Sequence, residues 1–155
     1  MENIFIDTNS FIFFLTDDEG RAGKVEQILF DSNYNLYTAY GVLNEVKFIL
    51  LIDKAMKVLK IGKKWELIKF IKNNEEIRNE IIEKYLEFYA NIKSRIKILN
   101  SSNETEILSC RLSVDYGLLP TDASIAAMMK LNGINKILTS DSDFRKVRGI
   151  EIIEI

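Results

Sequence analysis

Five short apolar segments recur along this 155-residue chain, and stretches with the spacing of amphipathic helices separate them. Strands that alternate with helices are typical of a mainly parallel sheet with helices packed on both faces. We therefore predict an α/β fold of three layers, α/β/α, with about five strands and one domain spanning residues 1–155. The predicted strands are Asn3–Asp7, Leu36–Ala39, Arg95–Leu99, Lys136–Thr139 and Ile150–Ile155.

Acidic residues stand at the ends of two predicted strands and near the starts of two predicted helices. Asp7 and Asp141 follow strands, whereas Glu45 and Asp122 lie near helix starts. Because ligands of an open parallel sheet bind beyond the carboxyl ends of its strands, we expect the four carboxylates to converge there. Carboxylates that close repel one another unless a cation neutralises them, and oxygen ligands suit Mg²⁺ or Mn²⁺. Taken singly, each acid is also explained as a cap, a helix-dipole charge or a solvated residue.

The chain has no histidine and one cysteine, which limits the chemistry open to it. A histidine general base, a serine–histidine or cysteine–histidine nucleophile and a histidine- or thiolate-bound zinc site are all excluded. Hydrolysis would therefore depend on carboxylates with a hard divalent cation. The one cysteine, Cys110, lies in the apolar-periodic segment Ile107–Val114, where we expect a buried thiol.

The four acids lie within four short motifs, Ile6–Asn9 (IDTN), Leu43–Glu45 (LNE), Leu119–Ala127 (LPTDASIAA) and Leu138–Phe144 (LTSDSDF). In order and spacing, these motifs resemble those of the PIN-domain ribonucleases, which include the VapC-type toxins of prokaryotic toxin–antitoxin pairs. The resemblance covers essentially the whole chain. It implies a metal-dependent endoribonuclease that hydrolyses RNA phosphodiester bonds, with Mg²⁺ or Mn²⁺ as its cofactor.

The resemblance also assigns roles to individual residues. It makes Asp7, Glu45, Asp122 and Asp141 catalytic. The three aspartates would ligate the metal directly or through water, and Glu45 would ligate it or orient the attacking water. Groups that support this site are expected from Thr8, Asn9, Thr139, Ser140 and Asp143. Asp143 is equally well explained as a cap for the turn that follows it.

A basic excess is confined to the middle of the chain. Residues 46–98 hold 13 Lys and Arg against 7 Asp and Glu, although the whole chain has a net charge of −2. We predict that residues 46–95 form a lysine-rich helical clip that holds the RNA backbone through its phosphates. The lysines proposed for this role are Lys54, Lys57, Lys60, Lys63 and Lys64. A solvated helix surface is the alternative explanation for any one of them.

The clip is predicted to contain helices, with Asn73-Asn74 separating two of them. Trp65 begins an apolar stripe, which favours a core position, although Trp65, Tyr37 and Tyr40 could also stack on unpaired bases. The clip could instead bind an antitoxin or a second copy of the chain. PIN domains commonly pair, so the resemblance implies a possible homodimer.

Other functions are open to such a sequence. A catalytically inactive PIN-fold scaffold for RNA or protein would be favoured by the loss of an acid, and none is missing. A stand-alone RNA-processing nuclease suits the long clip, whereas a flap-type DNA nuclease would need a longer chain with more acids. An aspartyl phosphotransferase would need a second acid at position 9, which is asparagine. With no signal-peptide pattern and no apolar stretch near the ~20 residues that span a bilayer, we expect a cytoplasmic protein without a membrane partner.

Overall fold

The computed structural model describes residues 1–60 and 62–155. Among these residues, no helix is both long and apolar enough to cross a membrane. The described residues form five strands, seven α-helices and one short 3₁₀ helix. In chain order these are β1 (Glu2–Ile6), α1 (Thr8–Leu15), α2 (Ala22–Phe30), β2 (Tyr34–Ala39), α3 (Tyr40–Leu59), α4 (Lys64–Asn73), α5 (Glu75–Ile92), β3 (Ile96–Leu99), α6 (Asn103–Tyr116), α7 (Pro120–Leu131), β4 (Lys136–Leu138), the 3₁₀ helix (Ser142–Lys146) and β5 (Glu151–Ile153).

The strands form one sheet in the order β3-β2-β1-β4-β5, and every neighbouring pair is parallel. The central strand β1 is aligned with β2 through Ile4 and Leu36, and with β4 through Ile6 and Leu138. Residues 4–6 of β1 are completely buried, as expected of a central strand covered on both faces. The predicted α/β fold with a parallel sheet of about five strands is confirmed.

The core lies between the sheet and the helices that cover it. On one side, Phe11 of α1 meets Phe88 of α5 edge to face, with 5.4 Å between the ring centroids. Elsewhere in the same core, α7 contributes buried small and flexible side chains, among them Ala126 and Met129. This packing fixes the starts of α1 and α7 relative to the carboxyl edge of the sheet.

The predicted clip consists of the distal part of α3 together with α4 and α5. A separate small cluster, formed by Ala55, Leu67 and Ile71, packs α4 against α3. Asn74 separates α4 from α5 and caps α5 by accepting a hydrogen bond from the Ile77 N–H, which confirms the predicted break. Ile61 of the clip lies outside the described residues.

Two sequence-based expectations about buried side chains are wrong. Trp65 is 78% exposed, because Leu67 and Ile71 rather than Trp65 form the buried face of α4. Cys110 is also exposed, since Leu112 and Ser109 take the buried positions of α6. In both helices the periodicity was correct, but the face that turns inward was assigned to the wrong residues.

Candidate active site

A pocket of about 240 Å³ opens at the carboxyl edge of the sheet, and we call it the acidic pocket. Four of the residues that line it are the four predicted acids, which come from the end of β1, from α3, from the first turn of α7 and from the segment after β4. The structure therefore brings together side chains that lie up to 134 positions apart. The complete lining is Asp7, Thr8, Asn9, Ile12, Glu45, Ile49, Asp122 and Asp141.

Asp7 is the most deeply buried of the four acids, with 7% of its surface exposed. It caps α1, where its Oδ1 accepts a hydrogen bond of 2.7 Å from the Thr8 N–H. Its Oδ2 accepts a bond of 2.8 Å from the hydroxyl of Thr139. Burial raises the pKa of Asp7, the bonds from Thr139 and Thr8 oppose that rise, and Glu45 and Asp141 add to it. The net direction is upward, so a cation near Asp7 would favour its ionised form.

Thr8 connects the first acid to the second. Its hydroxyl donates a hydrogen bond of 2.8 Å to Oε2 of Glu45. Glu45 lies in the second turn of α3, one turn before Phe48. This bond joins the start of α1 to α3 and directs Glu45 toward the pocket.

Asn9 and Ser140 tie the start of α1 to the loop after β4. The amide Nδ2 of Asn9 donates to Oγ1 of Thr139 at 3.0 Å, and its Oδ1 accepts from the Ser140 N–H at 3.2 Å. The Asp141 N–H also donates to Oγ1 of Thr139, at 3.0 Å. The predicted supporting residues at positions 8, 9, 139 and 140 thus form one hydrogen-bonded network with the acids.

Asp141 and Asp143 differ in their surroundings. Oδ1 of Asp141 accepts a bond of 2.8 Å from the Asp143 N–H and so caps the 3₁₀ helix. The carboxylate of Asp143 pairs with Lys146 at 2.6 Å and is not part of the pocket lining. Asp143 still acts on the site through its charge, because it contributes to the raised pKa of Asp122.

The pKa of Asp122 reflects both its burial and the charges of the neighbouring acids. Its pKa is raised to about 6, first by partial burial and then by the charges of Asp141, Asp7, Asp143 and Glu45. A carboxyl group with such a pKa is partly protonated near neutral pH. A cation bound in the pocket would therefore offset the repulsion among these carboxylates.

The donor set fits a hard divalent cation such as Mg²⁺ or Mn²⁺, which prefers oxygen ligands. The pocket offers carboxylate oxygens from four acids, and hydroxyl and amide groups hold two of these acids in place. Within residues 1–60 and 62–155, however, no three acidic side chains are close enough together to hold a metal ion as they stand. Ligation would therefore require the carboxylates to move closer together or to reach the cation through bound water, and Asp122 and Asp141 are only partly buried.

Sequence reasoning missed two residues that position the site. The buried hydroxyl of Ser10 donates to the carbonyl oxygen of Leu138 at 2.6 Å, which joins α1 to β4. The buried hydroxyl of Thr38 donates to the carbonyl oxygen of Ile6 at 3.0 Å, which joins β2 to β1 just before Asp7. In each case the signal in the sequence was a hydroxyl residue next to apolar residues, because such a residue is often buried and its hydroxyl then needs a partner.

A second depression, of about 400 Å³, adjoins the acidic pocket, and we call it the apolar groove. Ile12 and Ile49 line both, so the two are continuous. Its other lining residues come from α1, from the loop after it and from α3: Phe13, Thr16, Asp18, Phe48, Leu50, Ile52, Asp53, Met56 and Lys57. The side chains of Phe48 and Met56 remain more than 40% exposed.

The predicted RNA-binding lysines are not equivalent. Lys54 pairs with Glu80 of α5 at 2.6 Å, and Lys57 pairs with Asp53 at 2.7 Å while lining the apolar groove. Lys64 extends toward the groove, with its Nζ 5.8 Å from the ring centroid of Phe48. Lys60 follows the end of α3, and Lys63 precedes the start of α4. The RNA-binding role of all five stays a prediction.

Comparison with known proteins agrees with this geometry. The PIN domain family model matches residues 4–150. Ribonuclease VapC6 of Methanocaldococcus jannaschii is 32% identical over 157 residues, covering 98% of this chain and 97% of that protein. The fold is similar to that of Mycobacterium tuberculosis VapC20, a sarcin–ricin loop cleaving toxin (TM-score 0.64, 15% identity, 96% and 97% of the two chains). It is also similar to a chain of a toxin–antitoxin complex from Klebsiella pneumoniae (TM-score 0.56, 18% identity, 96% and 95% coverage).

Proposed function

This chain belongs to the PIN domain family, and we propose that it is a divalent-metal-dependent endoribonuclease that cuts RNA at the acidic pocket. The observation that carries the proposal is the meeting of Asp7, Glu45, Asp122 and Asp141 in one pocket, where partial burial and then the neighbouring acids raise the pKa of Asp122 to about 6. A relative that covers nearly the whole chain is named a ribonuclease, which favours RNA as the substrate.

The four acids divide into two roles in the proposed reaction. Asp7, Asp122 and Asp141 would hold Mg²⁺ or Mn²⁺, whose charge polarises a scissile phosphate and lowers the pKa of the attacking water. The bonds from Thr8 and Thr139 hold Asp7 in one orientation. Oε2 of Glu45 accepts the Thr8 hydroxyl, so that its second oxygen can accept a hydrogen bond from the water and orient it.

Cleavage of total RNA by the purified protein tests this function. We expect cleavage in Mg²⁺ or Mn²⁺, none in EDTA, and weaker action on single-stranded or flap DNA of the same length. Absence of RNA cleavage with either metal would contradict the proposal and favour an inactive scaffold. Preferential cleavage of flap DNA would favour the DNA-nuclease alternative.

We further propose that the apolar groove binds an antitoxin, which would make the chain the toxin of a pair. A solved structure of similar fold comes from a toxin–antitoxin complex. The groove has an apolar floor beside the acidic pocket, and the exposed side chains of Phe48 and Met56 suit the apolar face of a partner helix. A partner seated there would also cover the route to the acids.

Coexpression with the product of the adjacent reading frame tests the antitoxin proposal. We expect a stable complex that Met56→Glu weakens, because the substitution introduces a charge into the apolar contact. Val58→Glu is the matched control, since Val58 is exposed on the same helix but is not part of the groove lining. Equal capture of the partner by both variants would contradict this placement. A homodimer stays a prediction from the family resemblance.

A further inference from the structure

Trp65 is the only tryptophan of the chain, and 78% of its surface is exposed at the start of α4. A tryptophan in a core or an interface usually removes 150–250 Å² from water, and this one removes little. Three lysines lie within the five positions that precede it. We call Lys60, Lys63, Lys64 and Trp65 the basic tip.

Helix stability does not explain the basic tip. Lys63 occupies the N-cap of α4 without a side-chain cap, and Lys64 is the first helical residue. Positive charges are unfavourable at a helix start, where the helix dipole is already positive. In the part of the chain that the structure describes, ion pairs involve Lys54 and Lys57 but none of the three lysines of the tip. The tip therefore presents an exposed aromatic ring beside three lysines, with Glu66 as the acid of the same helix turn.

The basic tip is linked to the acidic pocket by a continuous surface. Nζ of Lys64 lies 5.8 Å from the ring centroid of Phe48, and Phe48 lines the apolar groove. The groove in turn shares Ile12 and Ile49 with the acidic pocket. A strand lying in the pocket could therefore follow the groove and reach the tip.

We propose that the basic tip binds single-stranded RNA, with Trp65 stacked on an unpaired base and the lysines on the flanking phosphates. The lysines complement the phosphate charge, and an exposed indole matches the flat face of any base. This inference rests on the proposed function for its substrate and makes Trp65 a positioning residue outside the reacting centre. The tip would hold nucleotides beyond the one that is cut.

Tryptophan fluorescence tests the stacking directly, because all of the signal comes from Trp65. The wild-type protein is titrated in EDTA with a single-stranded ribo-oligonucleotide and with an abasic oligonucleotide of the same length. We expect saturable quenching by the first and little by the second, since only the first carries bases. No quenching by RNA, or equal quenching by both, would overturn the proposal. An emission change that depends on protein concentration without RNA would also overturn it, because Trp65 would then contact another copy of the chain.

Substitution separates stacking from a general loss of binding. We expect Trp65→Ala to weaken oligonucleotide binding about 5- to 100-fold, and Trp65→Phe to restore most of it. Leu86→Ala is the matched control, since Leu86 is another large exposed apolar residue, located on α5. Equal affinity in Trp65→Ala and Leu86→Ala would overturn the proposal. Because binding is measured without a divalent cation, a protein that stacks RNA but cleaves none would contradict the proposed nuclease while supporting this inference.

Discussion

The hydroxyl of Thr139 donates a hydrogen bond of 2.8 Å to Oδ2 of Asp7, and this bond joins the carboxyl ends of the neighbouring strands β4 and β1. Thr139 is completely buried and Asp7 nearly so. The same hydroxyl oxygen accepts hydrogen bonds from Nδ2 of Asn9 and from the Asp141 N–H. One threonine thus sets the relative positions of three residues of the acidic pocket.

Thr139→Val removes this hydroxyl while keeping the shape of the side chain. We expect the free energy of unfolding to fall by about 1–3 kcal/mol, because one buried and two part-buried hydrogen bonds are lost. RNA cleavage should fall about 10- to 100-fold, the usual effect of removing a group that orients a metal ligand. Denaturant unfolding and initial cleavage rates measure the two effects.

Thr105→Val is the matched control for Thr139→Val. Thr105 is also buried, but its hydroxyl bonds to Ser102 at the start of α6 and not to an acid of the pocket. We expect a loss of stability of about 1 kcal/mol with cleavage nearly unchanged. If both variants lost activity in proportion to stability, Thr139 would have only a structural role.

The raised pKa of Asp122 predicts how stability depends on pH in EDTA. Since its folded-state pKa is about 6 and its usual value is 3.8, the folded protein binds the proton more tightly than the unfolded chain does. The contribution of Asp122 to the free energy of unfolding is therefore fully present below pH 3.8, and it is lost as the pH rises through 6. After solvent screening is allowed for, about 1 kcal/mol remains, which would lower the Tm by roughly 2–4 °C between pH 5 and pH 7.

Thermal melts of wild type and Asp122→Asn at both pH values test this dependence. The amide of Asp122→Asn cannot titrate, so most of the difference in Tm between pH 5 and pH 7 should disappear in this variant. In the wild type, Mn²⁺ should reduce the same difference by neutralising the acids. An unchanged pH dependence in Asp122→Asn would show that another group is responsible.

Two lysines of the clip, Lys64 and Lys54, should differ in their effect on RNA binding when each is substituted. Lys64→Gln is expected to weaken RNA binding and to lower the slope of log affinity against log salt by about 0.7 for the lost phosphate contact. Lys54→Gln should have little effect, because Glu80 already neutralises Lys54. Anisotropy of a labelled oligonucleotide between 50 and 200 mM salt measures both, and equal slopes for the two variants would contradict the assignment.

The convergence of the four acids in one pocket could be predicted from sequence because it depends on where strands end and helices begin. Asp7 and Asp141 follow β1 and β4, which are parallel neighbours, so both acids lie at the same edge of the sheet. Glu45 and Asp122 were found through the helices that follow the sheet edge. The bond between Thr8 and Glu45 could not be predicted, since it depends on the exact placement of α1 against α3.

The expectations that failed concern which side of a helix turns inward. In α4, Leu67 and Trp65 are two positions apart, and so point to opposite sides of the helix. The apolar spacing of α4 is compatible with burial of either Trp65 or Leu67. Packing against Ala55 of α3 determines that Leu67 is the buried residue. The ion pair between Lys54 and Glu80 could not be predicted either, because it depends on how α5 packs beside α3.

Cleavage of RNA by Asp7→Asn and Asp122→Asn, measured in Mg²⁺ and Mn²⁺ beside the wild type, tests the central claim most directly. Asp115→Asn, which removes the same charge from an exposed position of α6, is the control. We predict that both pocket variants lose at least about 100-fold in rate while staying folded, and that Asp115→Asn keeps wild-type activity. Wild-type rates in both pocket variants would contradict the assignment of the acidic pocket as the active site.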